Sequence, residues 1–306
     1  MGRIYNDIIE TIGHTPLVRL NRIGSHLDVE LLVKLESFNP MGSVKDRIGH
    51  AMIHAAEVNG QMQSGTRIIE ATSGNTGISL AFVCAARGYK LTLTMPDNMS
   101  LERRKLFKLL GANVVLTPAI SGMKGAIDKA MDILAKESNA FMPSQFSNQA
   151  NPDIHFSTTA EEILADTDGQ LDVVVAGIGT GGTLTGIARR LKQNLPNLKA
   201  VAVEPENSAV LSGGMPGPHS IQGIGAGFIP PILDVELINR VIRVSDQLAV
   251  ETAQSCARRE GIACGISSGA AVAAALELAQ EPDSKGKRFV IILPDIAERY
   301  FSTQLF

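Results

Sequence analysis

Three cysteines in 306 residues, Cys84, Cys256 and Cys264, are odd in number and too widely spaced for a disulfide framework. Each lies in apolar or helical-looking sequence, which points to buried free thiols in a reducing compartment. Long apolar runs are missing too: nothing reaches the roughly 18 residues a membrane-spanning helix needs. No charged-then-apolar leader follows Met1, so a cytoplasmic protein is expected. Charge of one sign is also lacking, since 31 acidic and 28 basic side chains leave a net charge of only −3. Nucleic acid and acidic membrane surfaces are therefore disfavoured as partners. There is neither an internal repeat nor a low-complexity tract.

What is present is a series of β-branched runs bounded by turn residues: "ELLVKLE" (30–36), "TRIIEATS" (66–73), "KLTLTMP" (90–96), "NVVLTP" (113–118), "DVVVAGIG" (172–179), "KAVAVEP" (199–205) and "RFVIILP" (288–294). Most are followed by a helical pattern, so strand and helix alternate. Runs such as "DVVVA" and "FVIIL" are continuously apolar, as in strands covered on both faces. The class is α/β with mainly parallel sheets. Two glycine-rich strand-to-helix turns stand about a hundred residues apart, each opening its own sheet. Between them, "FMPSQFSNQANPDIHF" (141–156), rich in Asn, Gln, Ser and Pro, reads as a crossing between domains.

The turn at 177–186, "GIGTGGTLTG", offers backbone N–H groups at the positive end of a helix, an anion site. Gly177, Gly179 and Gly182 satisfy G-x-G-x-x-G, and Glu204 ends the next strand, so a nicotinamide dehydrogenase is one reading. Thr180 and Thr183 add hydroxyls suited instead to one terminal phosphate, whereas glycines serving only a tight turn would need neither. The turn at 70–78, "EATSGNTGI", clusters Thr72, Ser73, Asn75 and Thr76 where a helix begins. Hydroxyls and unpaired N–H groups there would hold a carboxylate, while an ordinary N-cap needs only one of these four side chains. Lys45, in "NPMGSVKDRIGH" (39–50), would by base rates be a solvated lysine. A monophosphate cup, a carboxylate cup and a lysine together are what a pyridoxal phosphate enzyme requires.

These segments resemble the fold-type II pyridoxal phosphate enzymes, and within them the A branch of the cysteine synthases (O-acetylserine sulfhydrylases). The likeness runs through "TIGHTPLVRL" (11–20), "KLESFNPMGSVKDR" (34–47), "EATSGNTGI" (70–78), "MPDNMSLERR" (95–104), "GTGGTLTG" (179–186), "PGPHSIQGIGAGFIP" (216–230), "GISSGAAV" (265–272) and "ERYFST" (298–303). It implies two three-layer αβα domains of the tryptophan synthase β-like kind. An arm over 1–38 would join the larger domain, followed by a smaller substrate-gripping domain over 39–148 and the larger cofactor-phosphate domain over 149–306.

The resemblance further implies that Lys45 binds pyridoxal 5′-phosphate as an internal aldimine and removes the substrate Cα proton. Asn75 would bond the cofactor's 3′-oxygen, Gly179, Thr180, Gly181, Gly182 and Thr183 its phosphate, and Ser267 its ring nitrogen. Thr72, Ser73, Asn75, Thr76 and Gln145 would grip the substrate carboxylate, with Gly223 lining the site opposite. The implied reaction converts O-acetylserine and sulfide to cysteine and acetate through an aminoacrylate. Cystathionine synthesis from serine or serine/threonine dehydration are alternatives in the same fold, and a non-catalytic scaffold is a third reading. A homodimer and docking of the C-terminal tail of serine acetyltransferase are the implied partners.

The chain departs from the family at "LPDIAERYFST", where Ile296 and Ala297 replace small or polar residues near the expected pyridine side. His50 and His54 share a helix face but lack a third ligand at recognised spacing, so no metal is expected. The basic cluster Arg103, Arg104, Lys105 and Lys108 reads as a solvated helix face.

Overall fold

The computed structural model describes residues 4–306. In chain order its strands are β1 (Leu17–Arg19), β2 (Val29–Leu35), β3 (Arg67–Ala71), β4 (Lys90–Pro96), β5 (Asn113–Thr117), β6 (Ala140–Phe141), β7 (Val173–Gly177), β8 (Lys199–Pro205), β9 (Arg240–Val244) and β10 (Lys287–Leu293). Its α-helices are α1 (Lys45–Val58), α2 (Asn75–Arg87), α3 (Leu101–Leu109), α4 (Gly122–Leu134), α5 (Ala150–Ile154), α6 (Ala160–Asp166), α7 (Gly182–Asn194), α8 (Asp246–Ser255) and α9 (Ile266–Ala279). The expected runs are all strands. β1, β6 and β9 had no such signal: the first two are only 3 and 2 residues long, and β9, an edge strand, carries two arginines.

The described residues form two compact units, one of residues 4–12 and 45–150, the other of 13–44 and 151–306. The division differs from the expected 1–38, 39–148 and 149–306, and the backbone explains how. β2 pairs in parallel with β10 from Val29 opposite Lys287 to Leu35 opposite Leu293. Beyond it, Val44 N–H donates to the Pro294 carbonyl at 2.8 Å, and Ser43 bridges Asp295. Residues 13–44 are thus tied to the second unit up to the residue before Lys45. A 3₁₀ turn at Ile8–Thr11, capped by Asp7, buries Ile9 and packs on α2, which places residues 4–12 with the first unit. Residues 1–3 of the expected arm lie outside the described residues.

In the second unit the sheet order is β1-β2-β10-β7-β8-β9, parallel except for the antiparallel β1. Alternate residues of single strands enter different cores. Val173, Val175, Val201, Val203, Phe289 and Ile291 pack with α8 and α9 residues such as Ala249, Ala270 and Ala274. Val174, Ala176, Ala200, Ala202, Val290 and Ile292 pack with Ile163, Leu184, Ile187 and Leu191 of α6 and α7. With a side-chain period of two, this makes three layers and accounts for the continuous apolar runs. Gly269 lets α9 approach α8: a Cβ there would stand 2.1 Å from the Ala249 carbonyl oxygen.

In the first unit the parallel order is β5-β4-β3-β6. α4 lies on β3, β4 and β5, where the small Ala126 and Ala130 are buried and the Thr94 hydroxyl donates to the Ala126 carbonyl at 2.7 Å. α1 and α2 meet at Gly49, whose side-chain space is taken by Ser79.

Candidate active site

Each unit assembles its own cluster. In the second, β7 ends in a turn that only glycine can make. Gly225 N–H donates to the Ile178 carbonyl at 2.9 Å, drawing the 223–225 loop onto the turn. A Cβ on Gly179 would sit 2.2 Å from the Gly223 carbonyl oxygen, and one on Gly177 2.8 Å from the Ile224 side chain. Gly181, at φ +84°, is the N-cap of α7, and no side chain accepts the first-turn N–H groups from that position. Those donors and the helix dipole make this turn a candidate anion site.

The two threonine hydroxyls are held from behind. Asn151 Nδ2 donates to Thr180 Oγ1 at 3.0 Å. His155, fully buried, has Nε2 3.2 Å from Thr183 Oγ1 and Nδ1 2.9 Å from Thr159 Oγ1. His155 opens a π-helical turn, His155–Thr159, set between α5 and α6, a local irregularity typical of functional positions. Asn151 also fills the space a Cβ on Gly182 would need, 2.0 Å away. Neither residue was singled out in the sequence. Their signal was the Asn- and Gln-rich crossing segment, read there only as a linker.

Ser267 lies buried in the first turn of α9. A Cβ on Gly223 would be 3.9 Å from its Oγ, so residues 179–183, Gly223 and Ser267 gather in one place. The departure at Ile296 lands beside them: Ile296 bridges Cys264, and Ala297 N–H donates to the Ala263 carbonyl at 3.1 Å, just ahead of α9. Cys264 is a buried thiol; its hydrogen bond with Cys256, and then burial, hold it well above the usual thiol range. Glu204, which the dinucleotide reading needs for a ribose, is buried and already occupied. It accepts the N–H of Leu211 (2.8 Å), the N–H of Ser212 (3.1 Å) and the Ser212 hydroxyl (2.6 Å).

The first unit gathers the other group. Lys45 opens α1 and is partly exposed, followed directly by the buried Asp46 and Arg47. β3 leads into Thr72, whose N–H reaches the Thr94 carbonyl (3.1 Å) and whose Oγ1 accepts Gly74 N–H (3.2 Å). α2 then starts at Asn75. Gly77 fits closely here, since a Cβ would stand 3.0 Å from the Phe107 ring. The Arg103 guanidinium donates to the Ser73 carbonyl at 3.2 Å, so part of the basic cluster braces this turn. The Thr76 hydroxyl donates to Gln145 Oε1 at 2.6 Å, bringing together residues 69 apart in sequence. His50 and His54 stack at 5.5 Å between ring centroids, and burial lowers the His50 pKa.

Residues 8–295 match the family model described as pyridoxal-phosphate dependent enzyme. The chain belongs to this family. It is similar to cysteine synthase A of Escherichia coli (strain K12), at 55% identity over 100% of this chain and 97% of that one. Among solved structures it resembles the cysteine synthase (OASS) of Entamoeba histolytica, with TM-score 0.97, 46% identity and coverage of 99% and 91%. It also resembles the O-acetylserine dependent cystathionine β-synthase of Helicobacter pylori, with TM-score 0.93, 38% identity and full coverage of both chains. Membership makes pyridoxal 5′-phosphate the cofactor and removes the dehydrogenase reading. The glycine cradle with its two buttressed hydroxyls suits the phosphate of that cofactor.

Proposed function

We propose that the protein synthesises cysteine from O-acetylserine and sulfide, releasing acetate. The reading is carried by the full-length similarity to cysteine synthase A in a chain that retains a lysine, a phosphate cradle and a hydroxyl-rich helix start. Lys45 would hold the cofactor covalently, Asn75 its 3′-oxygen, residues 179–183 its phosphate and Ser267 its ring nitrogen. Bound there, pyridoxal phosphate delocalises the electron pair left at the substrate Cα.

Thr72, Ser73, Asn75, Thr76 and Gln145 bind and orient the substrate carboxylate, using the N–H groups and dipole of α2. Gly223 lines the site without adding bulk. Once the substrate amine has displaced it from the cofactor, the freed Lys45 Nζ would take the Cα proton and later return it to Cα, while acetate is lost from Cβ and sulfide takes its place there. Ser267 offers the ring nitrogen a neutral hydroxyl, which does not favour its protonation and suits elimination over transamination.

The test is the absorbance spectrum of purified protein before and after O-acetylserine without sulfide. A visible band that shifts on addition, lost in Lys45→Ala along with turnover, is the expected result. A colourless protein, or full turnover in Lys45→Ala, would refute the reading. The likeness to an O-acetylserine dependent cystathionine β-synthase favours a second reading with the same donor and a different thiol. Comparing sulfide with homocysteine as acceptor separates the two. A cytoplasmic homodimer that docks the C-terminal tail of serine acetyltransferase completes the proposal. Light scattering and peptide competition against O-acetylserine test its two associations.

A further inference from the structure

Glu70 is a buried acid that the chemistry above does not use. It is the fourth residue of β3, 5% exposed, directly after the buried Ile68 and Ile69. β3 is an inner strand, with β6 on one side, but β6 pairs only Ala140 and Phe141 with Arg67 and Ile68. The ladder therefore ends before it reaches Glu70, and Pro143, which has no N–H, follows on the departing chain. Beyond the ladder the Glu70 carboxylate takes over as acceptor. Ser144 N–H donates to its Oε2 at 2.9 Å, and the Gln145 N–H is its second donor.

The turn it holds is strained and compact. Ser144 is one of three non-glycine residues at positive φ among those described, at +56°. Left-handed backbone in such a residue persists only where its surroundings impose it. The Ser144 carbonyl accepts from Ser147 (2.9 Å) and Asn148 (3.0 Å), and Asn148 Nδ2 donates to the Pro143 carbonyl (2.8 Å). The next side chain is Gln145, whose amide oxygen accepts from Thr76. That bond sets the direction of the amide: oxygen toward Thr76, Nε2–H donors away from it.

We propose that Glu70 is a positioning residue for substrate binding: its carboxylate anchors the Ser144–Gln145 turn and so holds the Gln145 amide for the substrate carboxylate. The inference rests on the assignment of Gln145 above. Burial of a carboxyl is costly, and it raises the Glu70 pKa to about 7 against the pull of the two N–H bonds. An apolar side chain would avoid that cost but would leave both N–H groups without this acceptor. Glutamine keeps one acceptor oxygen but replaces the other with an NH₂ that cannot accept, so Glu70→Gln is a graded lesion and Glu70→Ala a full one.

Steady-state kinetics of the holoenzyme test the idea with wild type, Glu70→Gln, Glu70→Ala, Gln145→Ala and Glu70→Gln/Gln145→Ala. The expected result is a KM for O-acetylserine raised about tenfold in Glu70→Gln and more in Glu70→Ala, with cofactor absorbance and KM for sulfide unchanged and kcat within about threefold. The double variant should be no worse than Gln145→Ala, because both substitutions disable one grip. An unchanged KM in Glu70→Gln, or effects that multiply in the double variant, overturns the proposal. If Gln145→Ala also leaves KM unchanged, the assignment of Gln145 fails first, and the two failures are thereby told apart. Should the Glu70 variants not fold, amide hydrogen exchange of wild type decides: protection at Ser144 and Gln145 matching that of β3 supports the anchor, and exchange as fast as in exposed turns overturns it.

Discussion

At the residue scale, the glycines of the proposed phosphate cradle are packing requirements as much as turn formers. Gly182 has Asn151 Oδ1 2.0 Å from where a Cβ would be, and the same asparagine holds the Thr180 hydroxyl. Gly182→Ala should therefore displace Asn151 and lower cofactor affinity about tenfold or more, a loss of at least about 1.4 kcal/mol. Equilibrium dialysis of pyridoxal phosphate against the variant checks this. Cys84 belongs to the same scale: burial pushes its thiol up to about 12. It should stay unmodified by thiol reagents until the protein unfolds, as mass spectrometry of alkylated native protein would record. The 72–76 and 179–183 turns were legible as candidates in the sequence because their chemistry is written within a few residues, and Lys45 became a candidate only through the company of those two distant turns. Asn151, His155 and Glu70 were not, because their partners lie 29, 28 and 74 residues away.

At the scale of elements, the strand-turn-helix units were readable because burial on both faces makes β7, β8 and β10 continuously apolar. β6 could not be read, since two residues carry no period, yet its early end is what leaves Glu70 to replace the ladder. Helix packing depends on single small residues. At Gly269 the neighbouring Ala249 carbonyl is 2.1 Å from a would-be Cβ, and backbone cannot rotate away as a long side chain can. Gly269→Ala should cost about 1–3 kcal/mol of stability through overpacking. Chemical denaturation midpoints against wild type measure it.

At the scale of the whole molecule, the chain passes from the second unit to the first between Val44 and Lys45 and returns between Ala150 and Asn151. Lys45 thus follows a segment whose backbone is fixed by Pro294 and Asp295, more than two hundred residues downstream. Global stability should also carry the signature of Glu70, whose carboxyl titrates near 7 when folded and at an ordinary 4.5 when unfolded. Between those values the folded protein keeps a proton that the unfolded chain has lost, so stability falls as pH rises through the window and levels off above it. Relative to Glu70→Gln, wild type should lose stability between about pH 4.5 and about pH 7, read by denaturation at each pH. A flat difference would contradict the raised pKa.

The amino-acid sequence alone determined the α/β class and two glycine-rich helix starts as candidate anion sites, and through their company a candidate lysine. Hydrophobic period and turn chemistry act within one element and need no partner. Tertiary structure decided what each polar group is doing: Glu204 closes a turn where a ribose contact was conceivable, His155 and Asn151 hold two threonine hydroxyls, and Glu70 accepts from the turn that follows β6. Those roles follow from which buried donor meets which acceptor, and that pairing is set only when distant segments are brought together and water is excluded.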